Sequence, residues 1–240
     1  GIRFAPASGR PLYTLEAMFP TLQNELVFIG DNGGAIRWKG QNLFTSEMSP
    51  EGWRALNRLT REQGDIAVLC GLESAYVERP FAVHDAVLRH FYTKIEYVDR
   101  LEDVTAPADK FTIYLPQHNA QQAYDTVYAS QRSIYSVAVA GECWVDIMNP
   151  GVHKGAALQT LGQLWGLPSE SIMAFGDTYN DAEMLQTVRY GFLMENGSEP
   201  LRQKVPFLAP SHREAGVMQV LHRVLAQNGC VCPEDFVPAH

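Results

Sequence analysis

The sequence predicts an α/β protein with a parallel sheet at its core and a second α/β unit inserted into the first. Three observations carry this expectation. Short apolar runs alternate with stretches of helical periodicity along nearly the whole chain, the pattern of strands joined by helices. Two apolar runs, residues 2–6 and 172–175, stop at small or acidic residues, as strands do when they deliver functional groups to the edge of a sheet. Between them, residues 46–148 form a self-contained set of strand pairs and helices.

Taken in order, residues 2–6 are a strand, and residues 11–19 carry Leu12, Leu15, Met18 and Phe19 at helical spacing. The continuous run Leu26 to Ile29 is bounded by Gly30 and is the next strand. After Gly33 and Gly34, residues 35–38 and 42–44 make a hairpin. Residues 50–63 are helical behind a Ser49 N-cap. Residues 65–70 and 74–77 are paired strands, 81–92 a helix, 111–115 a strand and 120–130 a helix. Residues 134–140 and 143–148 form a second strand pair. A helix from Lys154 to Trp165 stops at Gly166 and Pro168. The strand 172–175, a helix after Asp181, short strands at 190–194 and 206–209, and a helix at 215–225 complete the pattern. The tail 227–240 has no periodicity. The expected organisation is therefore a core in two parts, 1–45 and 149–240, around an inserted cap at 46–148.

At 240 residues the chain is long enough for one large domain or two modest ones. With 46% hydrophobic and 19% charged residues it has the composition of a soluble globular protein. A net charge of -8 argues against sequence-independent nucleic-acid binding, which needs clustered Lys and Arg. Neither a membrane-length apolar run nor a basic segment leading into an apolar stretch is present, so no membrane partner and a cytoplasmic location are expected. Cys70, Cys143, Cys230 and Cys232 are expected as free thiols, the last two being too close in sequence for an easy disulfide. Oligomeric state is not legible.

The segment with most chemistry is Gly176-Asp177-Thr178-Tyr179-Asn180-Asp181, placed where a strand gives way to a helix. Two carboxylates in one cleft repel unless a cation or proton lies between them, and a hard divalent cation such as Mg2+ fits oxygen donors. The plainer alternative is that Asp181 caps a helix and Asp177 makes a turn. Ser8-Gly9-Arg10 follows the first strand, and a small hydroxyl residue beside a glycine suits the close approach of backbone N–H groups to an anion. Ser8 has its own plainer role, capping the following helix. Lys154 starts a helix, where a lone lysine is usually solvated.

In this order and spacing, Ser8, Lys154 and the Asp177/Asn180/Asp181 cluster resemble the second, third and fourth motifs of the haloacid dehalogenase superfamily, in particular its Cof-type Mg2+-dependent sugar phosphatases. The resemblance extends over nearly the whole chain, including the Gly30-Asp31-Asn32-Gly33-Gly34 turn and Trp144 to Met148. It implies a Rossmann-like core, a cap that selects the substrate, and hydrolysis of a small phosphorylated metabolite through an aspartyl-phosphate. It further implies Asp177 as a Mg2+ ligand, with Asp181 holding a metal-bound water or orienting its neighbours. Ser8 and Gly9 would bind phosphate oxygens, Lys154 would neutralise phosphate and nucleophile, and Asn180 would donate an amide hydrogen bond. The family's nucleophile sits in an Asp-x-Asp strand, and this sequence contains no Asp-x-Asp. The nucleophile is accordingly expected outside this chain, on a preceding strand. The alternative expectation is a non-catalytic phosphosugar-binding or regulatory protein on the same scaffold.

Overall fold

The computed structural model describes residues 2–240, and the chain divides into two compact units, Gly1–Val152 and His153–His240. The class is α/β, as the sequence predicts. In the first unit, residues 4–8 run extended and parallel to β1 (Val27–Gly30). Val27 N–H donates to Phe4 O at 3.0 Å, Ile29 N–H to Pro6 O at 2.9 Å and Ser8 N–H to Ile29 O at 2.9 Å. The run expected as a strand at 2–6 is thus strand-like on one side, with only Ala7 in a formal bridge. Helix α1 (Leu12–Ala17) follows Pro11 and buries Leu12, Tyr13, Thr14 and Leu15. Strands β2 (Ala35–Trp38) and β3 (Gln41–Thr45) complete an antiparallel three-stranded sheet in the order β1-β2-β3, with β2 in the middle. Their turn is Lys39-Gly40, both residues at positive φ (49° and 73°), which matches the twist of the flanking strands.

Helix α2 (Pro50–Gln63) begins where Ser49 Oγ accepts the Gly52 N–H at 3.1 Å and ends at left-handed Gly64. Its buried residues Trp53, Leu56, Asn57 and Thr60 are one stripe at helical spacing. Beside it the first unit carries a six-stranded sheet with interleaved helices: β4 (Ile66–Gly71), β5 (Ala75–Glu78), α3 (Asp85–Phe91), β6 (Ile95–Val98), β7 (Ala108–Tyr114), α4 (Ala120–Thr126), β8 (Ser136–Val139) and β9 (Trp144–Met148). The strand order is β6-β5-β4-β7-β9-β8, and every pair is antiparallel except β5 with β6. Both faces are covered: Ala67, Leu69, Phe111, Ile113, Val145 and Ile147 pack with Trp53 and Leu56, whereas Val68, Cys70, Val77 and Tyr114 pack with Leu88 and Tyr92.

Several expected elements differ. The helix expected at 81–92 opens as a 3-10 turn over Arg79–His84, where Pro80 can make no amide hydrogen bond, and becomes α-helical only at α3. The helix expected at 120–130 breaks at Val127 (φ -125°, ψ -61°) and continues as 3-10 over Tyr128–Ser133. β6 was not expected, because its four residues include Glu96 and form no apolar run. β7 begins at Ala108 rather than 111, taking the charged pair Asp109-Lys110 into the sheet.

The second unit opens with α5 (Lys154–Trp165), capped by His153, whose Nδ1 accepts the Ala156 N–H at 3.2 Å, and closed at left-handed Gly166. Strand β10 (Met173–Gly176), helix α6 (Ala182–Thr187), strands β11 (Tyr190–Met194) and β12 (Phe207–Ala209), and helix α7 (Gly216–Ala226) follow. β10, β11 and β12 are parallel neighbours, the parallel sheet the alternating pattern predicts. The tail corrects its expectation: β13 (Val237–Pro238) pairs antiparallel with β12. Phe236 is buried against Tyr190, Phe192 and Phe207. A two-residue strand has no room for a period-two pattern, so periodicity could not reveal it. Among the described residues no helix is long and apolar enough to cross a membrane. All four cysteines are free, as expected, with Cys70 buried and its thiol pushed up to about 12, mainly by that burial.

Candidate active site

In the second unit the carboxylate segment leaves the C-terminal end of β10 as Asp177 and Thr178 and enters a single 3-10 turn, Tyr179–Asp181, ahead of α6. Asp181 organises this turn. Its Oδ2 accepts the backbone N–H of Asp177 at 3.0 Å and of Thr178 at 3.1 Å, while Thr178 N and Oγ1 close a reciprocal capping box with Asp181. Its Oδ1 receives Lys154 Nζ at 2.6 Å, with the two side chains only 6% and 7% exposed. Both oxygens of Asp181 are therefore engaged. Asp177, by contrast, is exposed, and its carboxylate accepts no hydrogen bond from the described residues.

Asn180 is half-buried, and its Oδ1 accepts the Thr178 hydroxyl at 2.6 Å. The loop after β11 supports the same turn, since Ser198 N–H donates to Asp177 O at 2.8 Å. Gly197 lies so close that an added Cβ would come within 3.0 Å of that carbonyl. Asn196 Oδ1 accepts the His212 N–H at 2.9 Å. Lys154, Asp177, Asn180 and Asp181, all named from sequence, are thus gathered on one turn and the helix behind it. Thr178, Gly197 and Ser198 were not named. The spacing Thr178-x-x-Asp181 is a capping-box signature that would have flagged the first. No local signal marks the other two, whose role depends on a contact with β10.

Ser8 and Gly9 belong to the first unit. Ser8 Oγ accepts the Arg10 N–H at 3.1 Å, a local turn that leaves the hydroxyl proton available to a further acceptor. Three successive carbonyls of this loop are tied down. Ser8 O accepts Asn32 N–H at 3.0 Å, Gly9 O accepts Lys110 Nζ at 2.5 Å and Arg10 O accepts Asp31 N–H at 2.9 Å. Arg10 is structural: its guanidinium donates to His90 O at 2.5 Å and stands over Phe91, 5.1 Å from the ring centre.

Beneath the loop lies a sealed cluster of charge. Lys110 is within 3.0 Å of Asp31 Oδ1, in ion-pair range without hydrogen-bond alignment, and 3.7 Å from Asp146 Oδ2. Burial alone would lower the Lys110 pKa, but Asp146 and Asp31 outweigh it and hold the ammonium well above its ordinary range. Asp146 also accepts Asn32 Nδ2 at 2.9 Å and Thr112 Oγ1 at 2.7 Å. Asp109 is fully buried with neither oxygen hydrogen-bonded, and burial, reinforced by Asp31, pushes its carboxyl well above the carboxylate range.

A parallel sheet whose C-terminal edge presents one open carboxylate, backed by a buried lysine–aspartate pair, defines an enzyme site for charged oxygen ligands. Similarity narrows the class. The model of the haloacid dehalogenase-like hydrolase family matches residues 1–221, and the chain belongs to that family. It is 32% identical over 228 residues to the 5-amino-6-(5-phospho-D-ribitylamino)uracil phosphatase YbjI of Escherichia coli K12, covering 94% of this chain and 84% of that protein. It is 30% identical over 217 residues to an HMP-PP phosphatase of Cronobacter sakazakii, covering 87% and 77%. Among solved structures, SMU.1108c from Streptococcus mutans UA159 superimposes with a TM-score of 0.83 at 28% identity, over 94% of this chain and 86% of that one.

Proposed function

We propose that this chain is a Mg2+-dependent phosphatase of small phosphorylated metabolites, working through an aspartyl-phosphate formed on an Asp-x-Asp aspartate that this sequence does not itself contain. Its family membership and its phosphatase relatives favour hydrolysis over a non-catalytic binding role. The observation that carries the reading is the open Asp177 carboxylate on a turn locked by Asp181. Among the described residues no cluster of three or more His, Cys, Asp or Glu side chains could hold a metal ion. The open Asp177 carboxylate suits Mg2+, which keeps several waters and binds through one or two carboxylates plus substrate phosphate. When bound, the ion would neutralise charge on the phosphoryl group.

The chain's own residues supply the rest. Asp177 offers the direct ligand. Asp181 fixes the Asp177 backbone and holds the Lys154 ammonium in place, an orienting role that suits a carboxylate with both oxygens engaged. Lys154 neutralises phosphate, Ser8 and the Gly9 N–H bind phosphate oxygens, and Asn180 holds the turn through Thr178. Residues 46–148 act as the cap and decide which ester is accepted. The YbjI relative is named for a phosphate carried on a ribityl chain. Pentose and ribityl phosphates therefore head the substrate list, ahead of hexose phosphates. A cytoplasmic location agrees with such substrates.

The test is phosphate release from a panel of ribityl, pentose and hexose phosphates, with Mg2+ and with a chelator, on the wild type and Asp177→Ala. Mg2+-dependent release lost in Asp177→Ala supports the reading. Release indifferent to the chelator would overturn the metal role. No release by a folded chain carrying an upstream Asp-x-Asp strand would overturn the activity.

A further inference from the structure

The Ser8-Gly9 loop is held from below by residues far away in sequence, and nothing in its proposed phosphate chemistry accounts for them. Lys110 on β7 is 2% exposed, and its Nζ donates to Gly9 O at 2.5 Å. Its charge is set between Asp31, on the turn after β1, and Asp146 on β9. Asn32 completes the cradle. Its N–H holds Ser8 O, its amide donates to Asp146, and its Oδ1 would stand 3.0 Å from any Cβ placed on Gly9.

A trans peptide is planar, so its carbonyl and the following N–H point in opposite directions. Pinning Ser8 O to Asn32 therefore aims the Gly9 N–H away from the buried cluster. Pinning Gly9 O to Lys110 fixes the direction of the Arg10 N–H, which in turn holds the Ser8 hydroxyl oxygen. Asp31 and Asn32 both adopt positive φ (50° and 55°), a conformation uncommon outside glycine that makes this back-to-back contact possible.

We propose that Lys110, with Asp146 and Asn32, is a positioning residue for the Ser8-Gly9 loop, fixing the donors that meet a phosphate oxygen. The inference rests on the proposed role of Ser8 and Gly9. Lys110 does not touch substrate and acts only through the Gly9 carbonyl. Because Lys110 and Asp146 lie on the six-stranded sheet, that sheet governs the shape of the phosphate loop as well as the choice of ester.

Two readouts test this on the chain extended by an upstream Asp-x-Asp strand. In the first, KM and kcat for the best ester are measured for Ser8→Ala, Lys110→Met and the double variant. Lys110→Met is expected to raise KM about tenfold, the worth of one charge-assisted hydrogen bond, with a smaller change in kcat. In the Ser8→Ala background the same change is expected to add less than about twofold, since residues acting through one another are not additive. Full additivity, or an unchanged KM in folded Lys110→Met, would overturn the proposal.

The second readout needs no turnover. Amide hydrogen exchange at residues 8–10 is expected to quicken about tenfold or more in Lys110→Met, while β11 and β12 keep wild-type protection. Should Lys110→Met not fold, Asp146→Asn removes one of the ammonium's two charge partners while its side chain still offers an acceptor to Thr112, and it should shift the same amides in the same direction. Unchanged exchange at 8–10 in a folded variant would overturn the positioning role even if turnover falls. An inactive wild type, or a Ser8→Ala variant with normal KM, would instead strike the phosphate role of the loop and leave the exchange result to decide this proposal.

Discussion

Lys154 Nζ lies 2.6 Å from Asp181 Oδ1, both side chains nearly sealed from water. Such a pair is weak evidence for stability as a whole, yet removing one partner strands the other's charge in the interior. Lys154→Met is expected to cost about 3–5 kcal/mol in urea unfolding. Adding Asp181→Asn, which keeps an acceptor for the Asp177 and Thr178 amides, should recover a large part of that loss. A double variant no more stable than Lys154→Met would contradict the ion-pair account.

Gly197 is fixed by its neighbours rather than by its own φ. An added Cβ would meet Leu193 Cδ1 at 2.7 Å, Met194 O at 2.8 Å and Asp177 O at 3.0 Å, two of them backbone atoms that yield little. Gly197→Ala should lower stability by about 1–3 kcal/mol. It should also raise the Mg2+ concentration giving half-maximal activity, because the displaced carbonyl belongs to Asp177, the proposed ligand. Mg2+ titration of turnover beside a thermal melt separates the two effects.

Asp109 carries a pH signature. Its buried carboxyl, close to Asp31, Glu47 and Lys110, keeps its proton far above the unfolded pKa of about 3.9. The folded state then binds one more proton than the unfolded state in the window from that pKa up to the raised native one. Stability contributed by this group is complete below the window and declines as pH rises through it, by up to about 1.4 kcal/mol per pH unit. Asp109→Asn should therefore melt higher than wild type at pH 7, with the advantage shrinking toward pH 4. Parallel melts across that range check the sign.

Phe236 anchors the tail. It is 6% exposed among the rings of Tyr190, Phe192 and Phe207. Phe236→Ala should cost about 3–5 kcal/mol. It should also free the short β13 from β12, seen as faster hydrogen exchange at residues 207–209.

Local signals were legible in the sequence and distant ones were not. Ser49 announced α2, Gly166 closed α5, and β11 was bounded as expected, because caps and apolar runs are written in neighbouring residues. The turn around Asp177 was located for the same reason. Lys110 and Asp109 precede the strand expected at 111–115 and carry no local signal of burial, since their charge partners Asp31 and Asp146 lie tens of residues away. Asp146 lies on the strand expected at 143–148, but its tie to Asn32 is invisible to periodicity. His153 caps α5, a role that its place beside Lys154 in the sequence does not announce. The tail strand was missed because its two residues carry no pattern.

The ties under the Ser8 loop span 101 residues from Gly9 to Lys110 and 114 from Asn32 to Asp146. Contacts this distant close late, after their loop entropy has been offset by nearer ones. A chain emerging from the ribosome thus carries the loop's sequence long before it carries the loop's shape. On this topology, the proposed competence of the Ser8 loop to grip a phosphate is among the last properties the first unit acquires, and a folding intermediate lacking β9 should be blind to phosphate.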